Sequence, residues 1–121
     1  MIRTHTFIKY ARLNLQEAEA ALQDDDLEKM GKKCRDVAVA LLKALIAFVP
    51  GTAIDIDNPD EKGLKSLVEE LAPSKQAVDS VVEKMVMLLR SKKIPVSRIE
   101  AETLYSATGE LFQVIHDLCA A

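Results

Sequence analysis

Glycine and proline are scarce in this chain, and they divide it into stretches whose apolar residues repeat with the period of an α-helix. This division constrains the fold more than any other feature. The sequence contains four of each. Because proline lacks an N–H donor and disfavours helical backbone in the residue before it, these positions divide the chain into segments. Apolar side chains recur every three to four residues in each segment, as they do in amphipathic helices. The dividing positions are Pro50, Gly51, Pro59, Gly63, Pro73 and Pro95.

The first half of the chain predicts two helices joined by an acidic turn. The first runs from Thr6 to Gln23 and the second from Leu27 to Val49. We expect an aspartate of the triplet 24–26 to cap the second helix. The later part of that helix is apolar on nearly all sides, which predicts a central position in a bundle, with Lys43 extending its charge to solvent. Gly31 in the same helix indicates close approach of a neighbouring helix.

The second half predicts one short helix and two long ones. Leu64 to Leu71 form a short amphipathic helix, and Pro73 opens the next helix. Ser97 and Glu100 have the spacing of a capping box at the start of the last one. No segment shows the two-residue alternation of a strand. The sequence therefore predicts an all-α fold, an antiparallel up-down four-helix bundle with one additional short helix, as a single domain of residues 1–121.

Composition restricts the classes of function. Apolar residues make up 49% of the chain and the formal net charge is −3 at neutral pH, so we expect a folded domain that does not bind nucleic acids broadly through their phosphates. Cys34 and Cys119 lack the spacing of a zinc site or a disulfide framework, and we expect both to be reduced and buried. We expect neither a signal peptide nor a membrane span, which favours the cytoplasm.

Motifs that carry chemistry are nearly absent. The chain has no Glu-x-x-His pair for a di-metal site and no glycine-rich phosphate loop, so we expect no metal and no cofactor. His116 on the last helix is a candidate catalytic residue because an imidazole titrates near neutrality, and a surface histidine is the alternative interpretation. A basic group around the turn before the last helix is a candidate site for an anion or an acidic partner surface, solvated helix-terminal cations being the alternative. It consists of Arg90, Lys92, Lys93 and Arg98.

The order of small and apolar positions carries a family resemblance. A first helix with small residues is followed by the acidic break, and the second helix continues with small residues and leucines from Ala38 to Leu45. This order resembles the opening of HEPN domains, and the final helix is compatible with theirs through Tyr105, Ala107 and the stripe from Leu111 to Leu118. The matching positions of the first helix are Tyr10, Ala11, Leu15, Ala18, Ala21 and Leu22.

The resemblance implies a four- or five-helix up-down bundle that commonly dimerises. Some HEPN members are metal-independent ribonucleases of toxin–antitoxin or defence systems, and others are binding partners of a separate nucleotidyltransferase. The ribonuclease branch carries an arginine four to six residues before a histidine on the last helix. Here no arginine stands at those positions before His116, and the nearest one upstream is Arg98.

The expectation is therefore a noncatalytic HEPN-like module, a partner or substrate-binding subunit for a nucleotidyltransferase or another protein, with nucleotide binding implied by the family. One alternative is a divergent ribonuclease that uses His116 with Arg98 of another chain, and a second is a generic helical protein-interaction module. We also expect a homodimer, because several apolar residues lie off the main helical stripes. These residues are Phe7, Tyr10, Leu13, Val86 and Met87.

Overall fold

The described part of the chain is built from helices alone. A computed structural model describes residues 2–49, 51, 54–55, 59–72, 74–90 and 94–120. No strand occurs within these ranges, which confirms the all-α prediction. The helices are α1 (Ile2–Gln23), α2 (Leu27–Phe48), α3 (Glu61–Glu69), α4 (Lys75–Arg90) and α5 (Arg98–Ala120).

The start of α1 differs from the prediction. The helix begins at Ile2 and not at Thr6. The polar residues between them suggested a non-helical lead-in, but Thr4 is only 2% exposed while Arg3 and His5 on either side are exposed. This is the burial pattern of a helix that packs through one face. The prediction was wrong because the buried residue of the first turn is a threonine instead of an aliphatic residue.

Short polar side chains cap α2 and α5 as the sequence predicts. Asp26 accepts a hydrogen bond from the Lys29 N–H at 3.2 Å and caps α2. Ser97 Oγ accepts from the Glu100 N–H at 3.2 Å, and Glu100 Oε2 accepts from the Val96 N–H at 3.0 Å. The capping box is thus present, with its return bond one residue earlier than in the standard motif.

The predicted break between the short helix and the next long one is confirmed. Asp60 caps α3 by accepting from the Lys62 N–H at 3.2 Å. Ser74 Oγ accepts from the Ala77 N–H at 3.2 Å and stands directly before α4. Pro73, which we expected to open this helix, lies outside the described residues. Side-chain caps therefore define the start of both helices.

Helix α2 packs against all four other helices, which confirms its central position. Most of its apolar side chains are buried, and Lys43 is exposed as predicted. Val39, Ile46 and Ala47 on one stripe of the helix stay half-buried, and Val39 and Ile46 pack against the core.

Gly31 is close to a proline and not to a neighbouring helix. A Cβ atom added at Gly31 would lie 3.3 Å from Pro95 Cδ in the α4–α5 connector, residues 94–97. Pro95 is buried. Because carbon atoms at optimal separation lie about 3.5–4.0 Å apart, a side chain here would press on the proline ring. The absence of a side chain at Gly31 thus lets the connector seat against α2.

The two thiols differ in their burial. Cys34 is fully buried, and its Sγ lies 3.4 Å from Met30 Sδ. Cys119 is only half-buried. Both cysteines are free, and burial raises the pKa of each thiol above its usual range. The expectation of burial holds fully for Cys34 and in part for Cys119.

Candidate functional site

A face formed by α1 and α5 brings the candidate histidine beside an aromatic ring and a cation. Phe112 and His116 stand one helical turn apart on α5, with ring centroids 5.9 Å apart and planes inclined by 26°. The guanidinium carbon of Arg12, from α1, lies 5.7 Å from the centroid of Phe112. That distance falls within the range of a cation–π contact. A histidine and an arginine therefore flank one ring at this face.

The polar neighbours of His116 come from its own helix. Its Nδ1 atom is 3.5 Å from Asp117 Oδ1, and the Gln113 side-chain amide donates to the same oxygen at 3.0 Å. The His116 side chain is 36% exposed, so solvent reaches the imidazole. An exposed imidazole can donate or accept a proton, and a guanidinium can bind phosphate oxygens. The Asp117 carboxylate lies beside the imidazole, but no hydrogen bond or ion pair among the described residues joins the imidazole to the Arg12 guanidinium, since each contacts the Phe112 ring.

Arg12 was missed by reasoning from the sequence. On the histidine's own helix, no arginine precedes His116 within two turns. Arg12 reaches the site from α1, a hundred residues away in the chain. No local motif marks it, because its position depends on the register between α1 and α5.

Arg98, the cation first considered for His116, is engaged elsewhere. Its guanidinium donates to the Leu22 carbonyl oxygen at 3.1 Å and to Glu102 Oε1 at 3.1 Å, and it lies 3.5 Å from Asp25 Oδ1. Along α5 it is about 27 Å from His116. Arg98 therefore links the start of α5 to the turn between α1 and α2, and the structure does not bring the two candidates together within one chain.

The members of the predicted basic group make separate contacts in the structure. Arg90 donates to the Pro59 carbonyl oxygen at 2.8 Å and lies 3.6 Å from Glu61 Oε1, so it ties the end of α4 to the start of α3. Arg98 makes the contacts given above. Lys92 and Lys93 lie outside the described residues. Binding of an anion by this group stays a prediction.

The connector before α5 exposes large apolar side chains that the sequence analysis did not single out. Ile94, Val96 and Ile99 are 51%, 84% and 77% exposed. They occur within six residues, around the buried Pro95. We call these three side chains the connector patch. In the sequence, the connector patch is marked by a group of aliphatic residues at a helix start. The spacing of these residues matches neither the period of a helix nor that of a strand.

A second apolar surface lies in the seam between α1 and α2. It forms a depression of about 270 Å³, and its lining residues in the described part of the chain belong to these two helices. We call it the outer groove, and its residues are Phe7, Tyr10, Asn14, Asp36, Val39, Ala40 and Lys43. A further depression of about 400 Å³ between α3 and α4 has charged residues of both signs at its rim.

The five apolar residues that led us to expect a homodimer differ in their exposure to solvent. Phe7 and Val86 are half-buried and pack against the core. Tyr10, Leu13 and Met87 are 51%, 45% and 45% exposed. Three of the five are thus exposed to solvent in the structure.

An ion pair joins α1 and α2 close to the outer groove. The Lys33 ammonium contacts the Glu17 carboxylate. The hydrogen bond to Lys33 and its charge lower the pKa of Glu17, and the same hydrogen bond raises the pKa of Lys33. On the other side of α1, Glu19 accepts a hydrogen bond from the Tyr105 hydroxyl at 3.4 Å, and burial together with this carboxylate raises the pKa of Tyr105.

Neither a metal-ligand group nor a membrane span is found in the part of the chain that the structure describes. No three or more histidine, cysteine, aspartate or glutamate side chains come together there as metal ligands would. None of the described helices combines the length and the apolar character needed to cross a bilayer. Comparisons with protein-family models, with curated proteins and with solved structures give no match.

Proposed function

We propose that this chain is a noncatalytic helical binding module that docks a partner protein, in the manner of the HEPN-like subunits that accompany a nucleotidyltransferase. The observation that carries the proposal is the connector patch. Val96 and Ile99 are each more than three-quarters exposed, although aliphatic side chains gain free energy when they leave water. Grouped exposed aliphatic residues are typical of a surface that binds another protein.

The connector patch is held in place by contacts on both sides. Pro95 seats against Gly31 of α2, and Arg98 binds the Leu22 carbonyl oxygen at the end of α1. The Val96 N–H is also fixed by the Glu100 carboxylate. A surface that is ordered before binding loses less conformational entropy when the partner docks. These anchors favour a recognition role over a mobile loop.

Charged residues of both signs lie around the connector patch. Residues 24–26 of the α1–α2 turn are exposed aspartates, and Arg98, itself exposed, bridges Asp25 to the start of α5. Glu100 in the first turn of α5 and Glu102 in the next turn are also exposed. A partner surface with an apolar centre and a rim of mixed charge matches this arrangement.

A photo-crosslinking experiment tests the proposal. A photoreactive amino acid placed at Val96 is expected to give one dominant protein adduct in cells, whereas the same group at Met87 on α4 is expected not to. The captured protein is then purified, and its affinity is compared for the wild-type chain, Val96→Asp and Met87→Asp. We expect Val96→Asp to weaken binding by at least about tenfold and Met87→Asp to leave it unchanged. Equal affinities for all three chains would refute the docking role of the connector patch.

The identity of the captured protein separates the proposed function from its nearest alternative. A nucleotidyltransferase supports the HEPN-like subunit, including the nucleotide binding that the resemblance implies. A different class of protein supports a generic helical interaction module. Both modules use the same surface, so the affinity measurements alone do not discriminate between them.

A divergent ribonuclease is the second candidate, favoured by the placement of Arg12 near His116 through Phe112. General acid–base cleavage of RNA needs a group that titrates near neutrality and a cation at the phosphate. We expect purified protein to leave single-stranded RNA intact, because the imidazole and the guanidinium each contact the Phe112 ring and no described hydrogen bond or ion pair joins the two groups. Cleavage that disappears in both His116→Ala and Arg12→Ala would establish the enzyme. Cleavage lost in His116→Ala and Arg98→Ala would instead support a site shared between chains.

We also propose the finer architecture and location that the sequence predicts. Contacts between α1 and α5 join residues 22 and 98, 19 and 105, and 12 and 112. This descending register supports antiparallel packing of the first and last helices, as in an up-down bundle with α3 as the additional helix. Two free cysteines support a reducing, cytoplasmic location.

A further inference from the structure

We propose that a depression at the start of α1 binds a small amphiphilic anion, a molecule with one carboxylate or phosphate head on an apolar chain. The depression lies between the first two turns of α1 and the last two turns of α2, and its volume is about 520 Å³. We call it the cationic depression. Its lining residues in the described part of the chain are Arg3, Phe7, Lys43, Ile46 and Ala47.

The two cations of this depression have no ionic partner among the described residues. Arg3 and Lys43 are exposed, and neither forms a salt bridge with a described carboxylate. Lys33, Lys84 and Arg90, by contrast, each contact a carboxylate of a neighbouring helix. The first turn of α1 also contains no acidic residue, although acidic side chains are favoured at that end of a helix. The cationic depression is therefore a region of local positive charge on a chain whose net charge is −3.

The rest of the described lining is apolar. Phe7, Ile46 and Ala47 are half-buried, so each leaves part of its side chain open to solvent at the depression. Covering such surface with an apolar group is favourable, because apolar surface leaves water. Cations beside an apolar floor are thus complementary to an anion that carries an apolar chain.

The same lining disfavours ligands that need several hydrogen-bond partners. Its described side chains include no hydroxyl, amide or carboxylate group, and such groups are the acceptors that sugars and the edges of nucleobases require. A guanidinium binds carboxylate and phosphate oxygens alike. The described residues therefore match an anionic head of either kind and leave a polar body without partners.

The other two depressions of the molecule differ in their charge. The described lining of the outer groove contains Asp36 together with Asn14. The depression between α3 and α4 contains three carboxylates, those of Glu61, Asp79 and Glu83. Like charges repel, so a carboxylate in the lining disfavours an anionic ligand. Of the three depressions, the cationic depression is the one whose described lining has cations without a carboxylate.

The size of the cationic depression favours a small molecule over a protein. Small-ligand sites have volumes of about 300–1,000 Å³, and this depression falls within that range. A specific protein interface uses about 20–30 residues on each side, far more than line the depression. The ligand class is therefore a single amphiphilic molecule.

Titration with decanoate, followed through the backbone amide signals in NMR spectra, tests the proposal. The wild-type chain is expected to bind decanoate saturably, with a dissociation constant in about the millimolar range and the largest shifts at Ile46 and Ala47. Decyl phosphate is expected to bind at the same amides, and the ratio of the two affinities identifies the preferred head. Decanol lacks the charge and adenosine monophosphate lacks the apolar chain, so each is expected to bind about tenfold more weakly or not at all.

Substitutions assign the binding to the cationic depression. Arg3→Gln and Lys43→Gln each remove one cation and are expected to weaken decanoate binding about two- to fivefold, and the double variant about tenfold. Ala47→Glu places a carboxylate in the lining and is expected to abolish binding. Lys62→Gln, in the depression between α3 and α4, is the matched control and leaves the affinity unchanged. Thermal unfolding followed by circular dichroism checks that each variant is folded.

Three results would overturn the proposal. Saturable binding of neither decanoate nor decyl phosphate would mean that no such site exists. Decanol or adenosine monophosphate binding as tightly as decanoate would show that the site does not require both a charge and an apolar chain. An unchanged affinity in the double variant would place the ligand on another surface. None of these results depends on the connector patch, which Arg98 anchors at Leu22, about 28 Å along α1 from Arg3, so failure here is distinguishable from failure of the proposed function.

Discussion

Replacing Gly31 by alanine tests the contact that seats the α4–α5 connector on α2. Alanine is favoured over glycine inside a helix by about 1 kcal/mol. At Gly31 the new Cβ would lie 3.3 Å from Pro95 Cδ, and the crowding that results in well-packed sites costs about 1–3 kcal/mol. The net change in the free energy of unfolding is therefore expected to lie between about zero and a loss of 2 kcal/mol.

Gly109 provides a matched control, because it also lies inside a helix. A Cβ atom there would meet nothing within 4 Å, so Gly109→Ala is expected to gain the helical preference alone, about 1 kcal/mol. For a domain of this size that gain corresponds to about 4 °C in melting temperature. Urea unfolding of both variants measures the difference, which we expect to be at least about 1 kcal/mol.

A double-mutant cycle isolates the cause of that difference. Pro95→Ala removes the ring carbon that the new methyl group would press on, so Gly31→Ala is expected to be stabilising in that background. Equal stabilisation by Gly31→Ala and Gly109→Ala in the wild-type chain would show that the connector moves freely. The same free-energy change for Gly31→Ala with and without Pro95 would also refute the reasoning, since neighbouring sites that clash are not additive.

Further predictions concern the reactivity of the two thiols, the stability of the fold in acid and the buried hydroxyl of Thr4. Alkylation of the folded protein is expected to modify Cys119 before Cys34, because Cys34 is fully buried and burial raises both pKa values; equal rates by mass spectrometry would contradict this. The lowered pKa of Glu17 means that its pairing with Lys33 stabilises the fold above the ordinary glutamate pKa and is lost in acid. Glu17→Gln should therefore lower the urea midpoint at neutral pH and not in acid. Thr4 has a buried hydroxyl oxygen with no hydrogen-bond partner among the described residues, so Thr4→Val should raise the free energy of unfolding by about 1 kcal/mol, and a lower value would show that the hydroxyl is satisfied.

Local signals in the sequence predicted most of the fold. Asp26 and Ser97 identified two helix starts, because a capping side chain acts on backbone groups two or three residues away. The scarcity of glycine and proline inside the segments predicted the number and order of the helices. The predicted start of α1 was wrong, since Thr4 is buried although its residue type favours solvent.

The candidate sites were less predictable because they depend on packing between distant segments. Arg12 and His116 share a face only through the register of α1 on α5. The exposure of Val96 follows from Pro95 seating on Gly31, which no periodicity shows. Val39 looked like the rest of α2 in the sequence, since apolar composition does not reveal which side chains stay half-buried.

The position of α3 has a consequence for how the protein unfolds. This nine-residue helix packs mainly on α4 and only slightly on α2, while α2 contacts every other helix. Segments with few contacts to the rest of a domain open at lower free energy than the global transition. The amides of α3 should therefore exchange with solvent deuterium through a partial opening, and those from Val37 to Leu45 in α2 only when the whole molecule unfolds. The bundle then contains two cooperative units, and a substitution such as Leu67→Ala would lower the free energy of the partial opening and that of global unfolding by the same amount, since α3 is unfolded in both states.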